Sequence, residues 1–129
     1  MLIPIFRIHF REGLEAINGG RLNHALGRMS YSRGRRFEWT VRSVFESRGW
    51  VTVRAARSKP VDLIALKDGR ILLIECKYNA SMSQERRDYL MELARKAGAR
   101  PLLATRRKHE KGVRLIDVSS GGEVSIEEV

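Results

Sequence analysis

Apolar residues along this chain fall into two rhythms. Over residues 33–48, Phe37, Val41, Val44 and Phe45 recur at three- and four-residue intervals, and Gly49 supplies a stop. That spacing marks one face of an α-helix. From residue 50 to 55 polar and apolar positions alternate, which predicts a strand carrying Val51, Val53 and Ala55 on one face. Residues 61–66 and 71–77 are runs of β-branched and aliphatic side chains, separated by Lys67-Asp68-Gly69-Arg70. Asp-Gly between two such runs signals a two-residue hairpin turn. Helical spacing returns at Tyr89, Leu90, Leu93, Ala94 and Ala97, behind Ser81-Met82-Ser83-Gln84, which resembles a capping box, and ahead of Gly98. Residues 101–105 and 113–118 read as short strands joined by the charged segment 106–112, and Val124 and Ile126 as a further edge strand. The order helix, three strands, helix, two strands predicts an α/β fold with a mixed central sheet flanked by helices.

The hairpin carries the chemistry. With Asp68-Gly69 as the loop, Lys67 pairs with Arg70, and counting outward sets Asp62 directly opposite Glu75. Cross-strand partners have Cβ atoms about 4.5–5.5 Å apart on one face. Lys77, two residues beyond Glu75, shares that face, while Cys76 points the other way. Two carboxylates this close repel unless a cation lies between them, and hard oxygen ligands suit Mg²⁺. The pattern therefore points to a metal site with a lysine beside it. An ion-pair ladder on a sheet surface is the plain alternative, but exposed pairs contribute only about 0–1 kcal/mol each.

Composition narrows the partners. At 129 residues the chain has room for one two-layered core, and no run of 18 or more apolar residues suggests a membrane span. A single cysteine excludes an intramolecular disulfide and fits a reducing cytoplasm. Formal net charge is +10, and residues 29–61 hold eight Lys and Arg against two acidic residues. A basic patch beside a metal site favours a polyanion, with affinity that falls steeply in salt. In the loop 56–60, Arg57, Ser58 and Lys59 are placed to hold a phosphate next to the metal. No zinc-ligand spacing links His9, His24, His109 and Cys76, and no glycine-rich phosphate loop or nucleophile elbow is present. Trp39 projects away from the helical stripe as a candidate partner-facing aromatic.

Pro60-x-Asp62 followed by Glu75-x-Lys77 resembles the PD-(D/E)xK nuclease superfamily. The flanking residues are similar to archaeal Holliday junction resolvases: Gly34 and Glu38, Val53-Arg54-Ala55-Ala56-Arg57-Ser58, Val61 through Gly69, and Leu73-Ile74-Glu75-Cys76-Lys77. The resemblance runs from about residue 30 to about residue 118. Val61 intervenes between Pro60 and Asp62, and residues 1–28 have no place in the family pattern. Those residues read either as an N-terminal extension or as sequence ahead of a natural start at Met29, leaving a nuclease domain at 29–129.

The resemblance implies a restriction-endonuclease-like core and a Mg²⁺-dependent endonuclease, with Mn²⁺ as a substitute. It assigns Asp62 and Glu75 as metal ligands, joined by the backbone carbonyl of Cys76, and Glu38 as a carboxylate holding a second metal ion or its water. Lys77 then orients or deprotonates the attacking water, or stabilises charge as an ammonium. Arg33, Arg35, Arg36 and Arg54 join Arg57, Ser58 and Lys59 as DNA contacts, and Gln84 supports the site or caps its helix. The expected partner is branched DNA, bound by a homodimer with one active site per chain, with cleavage leaving a 5′-phosphate and a 3′-hydroxyl. Two alternatives stay open: a nuclease for duplex, single-stranded or damaged DNA, and a non-catalytic DNA-binding module. An RNA-binding role lacks the interleaved aromatics that stack bases.

Overall fold

A computed structural model of the chain describes residues 25–55 and 60–129. Its elements are α1 (Ala25–Glu46), β1 (Val51–Arg54), β2 (Leu63–Lys67), β3 (Arg70–Tyr78), α2 (Gln84–Ala97), β4 (Arg100–Arg106), β5 (Arg114–Asp117), β6 (Glu123–Val124) and a 3-10 turn at Ile126–Glu128. One six-stranded sheet runs in the order β1-β2-β3-β4-β5-β6. Every neighbouring pair is antiparallel except β3 and β4, which are parallel. A parallel pair needs a crossover, and α2 supplies it. This is the mixed sheet flanked by helices that the pattern predicts.

Alternation along the strands builds two cores. Leu63, Ala65, Leu72, Ile74, Leu102, Ala104 and Leu115 join Phe37, Val41 and Phe45 of α1 on one face. Leu73 and Leu103 join Val61, Val118 and Leu90 and Ala94 of α2 on the other. A strand buried on both faces cannot alternate apolar with polar, so the middle of β3 reads Ile71-Leu72-Leu73-Ile74 without a break. Burying one such aliphatic side chain stabilises by about 1.5–3 kcal/mol.

The turn joining β2 to β3 forms as expected. Asp68 and Gly69 both take positive φ, 49° and 76°, and Lys67 pairs with Arg70. Gly98 closes α2 in the left-handed conformation, φ 64°, with its N–H on the last carbonyls of the helix. The cap at the other end is Ser83, whose hydroxyl accepts from the Arg86 N–H, so the cap sits two residues later than Ser81.

Three boundaries depart from expectation. α1 begins at Ala25 and not near Arg33, because Ala, Leu, Met and Arg are strong helix formers and Gly27 and Gly34 cost only about 1 kcal/mol each. At β1 the buried residues are Trp50, just ahead of the strand, and Thr52, while Val51 is 54% exposed. Ile126 turns into the 3-10 helix, and the strand expected there is reduced to Glu123–Val124. Residues 1–24, most of the segment 1–28 in the extension-or-start question, lie outside the described residues. Among the described residues no helix is long and apolar enough to cross a membrane.

Candidate active site at the open end of the hairpin

The turn fixes what happens at the far end of β2 and β3. Lys67–Arg70 closes a two-residue loop, so it is a hydrogen-bonded pair, and Ala65–Leu72 and Leu63–Ile74 follow in the same phase. Counted one pair further, this register would set Asp62 opposite Glu75 at a position of the other kind, where facing side chains approach most closely. Past Leu63 the ladder is replaced by side-chain bonds. Asp62 Oδ2 accepts the Cys76 N–H at 2.8 Å, the donor that a continuing strand would give to the Val61 carbonyl. Asp62 also keeps its carbonyl on the Ala55 N–H at 3.2 Å, which ties it to β1. Both carboxylates are buried, at 7% and 5% exposure.

Glu75 is held by two cations. The Arg86 guanidinium forks onto it, with Nε 3.0 Å from Oε2 and Nη2 3.0 Å from Oε1, and Nη2 also donates to the Pro60 carbonyl at 2.7 Å. Lys77 Nζ stands 4.0 Å from Oε2, with a side chain 36% exposed at the rim. The fork raises the Arg86 pKa, its hydrogen bond to Glu75 being the largest influence. A bidentate pair of this kind is among the stronger hydrogen-bonded arrangements, and losing one partner would strand a buried charge.

Glu38 comes from the α1 layer, where its Oε1 accepts from Arg54 Nε at 2.8 Å. Burial raises the Glu38 pKa above the ordinary carboxylate value; the Arg54 bond and charge pull it down, and Asp62 adds to the rise. Cys76 turns its side chain toward the α1 core, as expected. Burial, then the Asp62, Glu38 and Glu75 carboxylates, push its thiol well up, so it stays protonated.

The donor set suits Mg²⁺. That ion is commonly held by one or two carboxylates with the remaining positions left to water and phosphate. Asp62 and Glu75 supply two hard oxygens side by side, with the Cys76 carbonyl adjoining. Among the described residues no group of three or more His, Cys, Asp and Glu side chains closes around a point that could hold a metal ion. Glu38 is thus near Asp62 electrostatically but engaged by Arg54, and not gathered with the pair.

The remaining expectations divide. Arg54 is turned inside the protein, with only 9% of its side chain exposed, and its guanidinium holds Glu38. Gln84 bonds Asp88 at 2.9 Å along its own helix, away from the carboxylates. Arg33 and Arg36 are exposed and Arg35 is half-buried on α1. Arg57, Ser58 and Lys59 lie outside the described residues. Trp39 is 41% exposed beneath the Arg42 guanidinium, 4.4 Å from the ring centroid.

Arg86 is the residue that the sequence reading misses. A signal was present: Arg86 and Arg87 sit in the first turn of α2, where the helix dipole favours carboxylates and disfavours cations. An arginine in that place needs an anion nearby, and Glu75 provides it.

The profile of the family described as archaeal Holliday junction resolvase (Hjc) matches residues 29–125. The chain belongs to this family. A crossover junction endodeoxyribonuclease Hjc from Methanocaldococcus jannaschii is 33% identical over 81 residues, covering 60% of this chain and 61% of the relative's length. The solved structure of Archaeoglobus fulgidus Hjc, a Holliday junction resolvase from an archaeal hyperthermophile, aligns with TM-score 0.59 at 24% identity. It covers 67% of this chain and 74% of that one, and supports the fold. The family match takes in α1 from residue 29 onward, both strands of the hairpin and α2, and so includes every residue of the site.

Proposed function

We propose that this chain is a metal-dependent endonuclease that resolves four-way DNA junctions by paired symmetric nicks, acting as a homodimer. The observation that carries the reading is the juxtaposition of buried Asp62 and Glu75 at the open end of the hairpin, with Lys77 at its rim, in a chain of the archaeal Holliday junction resolvase family. The curated relative, a crossover junction endodeoxyribonuclease, supports the same activity.

Hydrolysis requires a water to attack phosphorus and the bond to the 3′ oxygen to break, leaving a 5′-phosphate and a 3′-hydroxyl. A Mg²⁺ ion held there would supply acidification of the attacking water and offset charge on the phosphoryl oxygens. Asp62 and Glu75 would hold it, each kept in place by the protein: Asp62 by the Cys76 N–H, Glu75 by the Arg86 fork. Mn²⁺ would fit the same oxygens. Lys77 reaches solvent beside Glu75 and would meet the phosphoryl oxygens or the attacking water. Glu38, on the other layer, would act from beside Asp62 once Arg54 is shared. Basic side chains at Arg33, Arg35 and Arg36 would engage the DNA backbone, and the sequence offers Arg57, Ser58 and Lys59 as further phosphate contacts.

Resolution needs two incisions on strands of like polarity, and one chain offers one site. A C₂ dimer presents two. Sedimentation at micromolar protein should return a dimer, and gel assays should show branched DNA bound far more tightly than linear duplex. A monomer that cuts both equally would replace the resolvase with a general DNA nuclease.

A further inference from the structure

The connection from β4 to β5 reads from sequence as a charged link, yet its backbone is built. Asn79 donates its N–H to the Arg106 carbonyl at 2.7 Å and accepts the Lys108 N–H on Oδ1 at 3.1 Å. The Glu110 N–H returns to the Arg107 carbonyl at 3.1 Å, and the Glu110 carboxylate accepts the Arg107 N–H at 3.3 Å. Arg106 closes the base, donating from Nε to the Gly112 carbonyl at 2.6 Å with its guanidinium over the Phe37 ring, 5.3 Å from the centroid. Asn79 and His109 adopt the left-handed backbone that the turns require, φ 51° and 71°.

The loop's place is set by the catalytic strand. Tyr78 pairs with Arg106, and the Thr105 hydroxyl donates to the Lys77 carbonyl at 2.9 Å. Asn79 lies two residues beyond Lys77, so Lys108 stands on the order of 10 Å from it along the same edge.

Its charge is unspent. Elsewhere on the described surface arginines pair with carboxylates: Arg48 with Glu127, Arg95 with Glu92, Arg100 with Asp117, Arg114 with Glu123. Arg107, Lys108 and Lys111 are exposed, and their side-chain cations enter no ion pair or hydrogen bond among the described residues. Glu110, the loop's own carboxylate, accepts a backbone N–H. Three like charges on a rigid loop repel one another, and a chain of phosphates relieves that repulsion. Because the loop is ordered beforehand, little conformational entropy is lost on contact.

We propose that this loop is a preformed phosphate-contacting surface for a duplex arm of the DNA, beyond Lys77 on the edge that carries the active site. The inference rests on the junction-nuclease reading above. The loop positions the arm without reading its sequence, since lysine ammoniums on phosphates carry charge and no base pattern.

The test is the salt dependence of four-way-junction binding, measured by anisotropy in Ca²⁺, for the full chain, R107A/K108A and R95A/K96A. The last pair removes the same charge about 15 Å further along α2 than Arg86. R107A/K108A should lower the slope of log K against log salt by about 1.8, and R95A/K96A by less than about 0.5. Equal slopes for the loop variant and the unaltered chain would overturn the inference, as would equal loss in both variants. Failure of the unaltered chain to prefer junctions would instead strike the functional reading. The thermal midpoint of R107A/K108A should match the parent, because the replaced loop side chains are exposed and unpaired.

Discussion

The two ends of the β2–β3 hairpin are held by different kinds of bond. At the closed end the backbone makes the turn and the ladder: Asp68 and Gly69 take positive φ, and Lys67 faces Arg70. At the open end side chains take over, with Asp62 on the Cys76 N–H and Arg86 forked on Glu75. A ladder needs no particular side chain, whereas each open-end bond needs one residue type at one place. The turn thus sets the register for stability, and the open end converts that register into two adjacent carboxylates.

Changes to Asp62, Glu75 and Lys77 should have the largest effect on function. D62N, E75Q and K77A should each lower junction cleavage at least about a thousandfold while leaving junction binding within a few fold. Single-turnover cleavage and anisotropy together check this. Near-normal cutting by any two of the three would remove the site from these residues.

Arg86 separates the site's scaffold from its chemistry. R86M leaves Glu75 buried beside Lys77 alone and frees the Pro60 carbonyl, and should lower stability by about 2 kcal/mol in urea unfolding. R86K, which keeps the charge but loses the fork, should fall between. A parent-like midpoint for R86M would mean that the fork does not form.

At the closed end the effects should be smaller and silent in catalysis. G69A meets no neighbouring atom, so its cost is the backbone alone, about 1–2 kcal/mol for an L side chain at φ 76°. Cleavage by the folded fraction should be unchanged. A loss of cutting at full folding would show that the turn shifts register at the carboxylates.

The smallest effect concerns Glu38. Its folded pKa lies above the unfolded value, so the folded state takes up a proton first. Glu38 therefore penalises folding fully above its raised pKa, and the penalty fades as pH falls through that value to the unfolded one. Arg54 lowers the pKa, so R54M should raise it further in a carboxyl NMR titration. An unchanged or lower value would contradict the Glu38–Arg54 bond.

The hairpin, the two cores and the Asp62–Glu75 adjacency were legible because each follows from local rules: a two-residue turn, alternation, and counting outward. The start of α1 was not, since a glycine at residue 27 or 34 only weakens a helix and the surrounding residues decide. The partners of Arg54 and Arg86 were hidden for another reason. Each reaches across layers, Arg54 from β1 to α1 and Arg86 from α2 to β3, and such contacts depend on how elements pack. The burial of Arg54 was hidden as well, because charge is visible in a sequence and burial is not.

The most direct measurement is incubation of the full chain with Mg²⁺ and a mobile four-way junction, beside a linear duplex of matched sequence. Symmetric nicks near the branch point, on strands of like polarity, should give ligatable duplex products while the linear DNA stays intact. Equal cutting of both substrates, or none of either, would contradict a junction-resolving site at Asp62, Glu75 and Lys77.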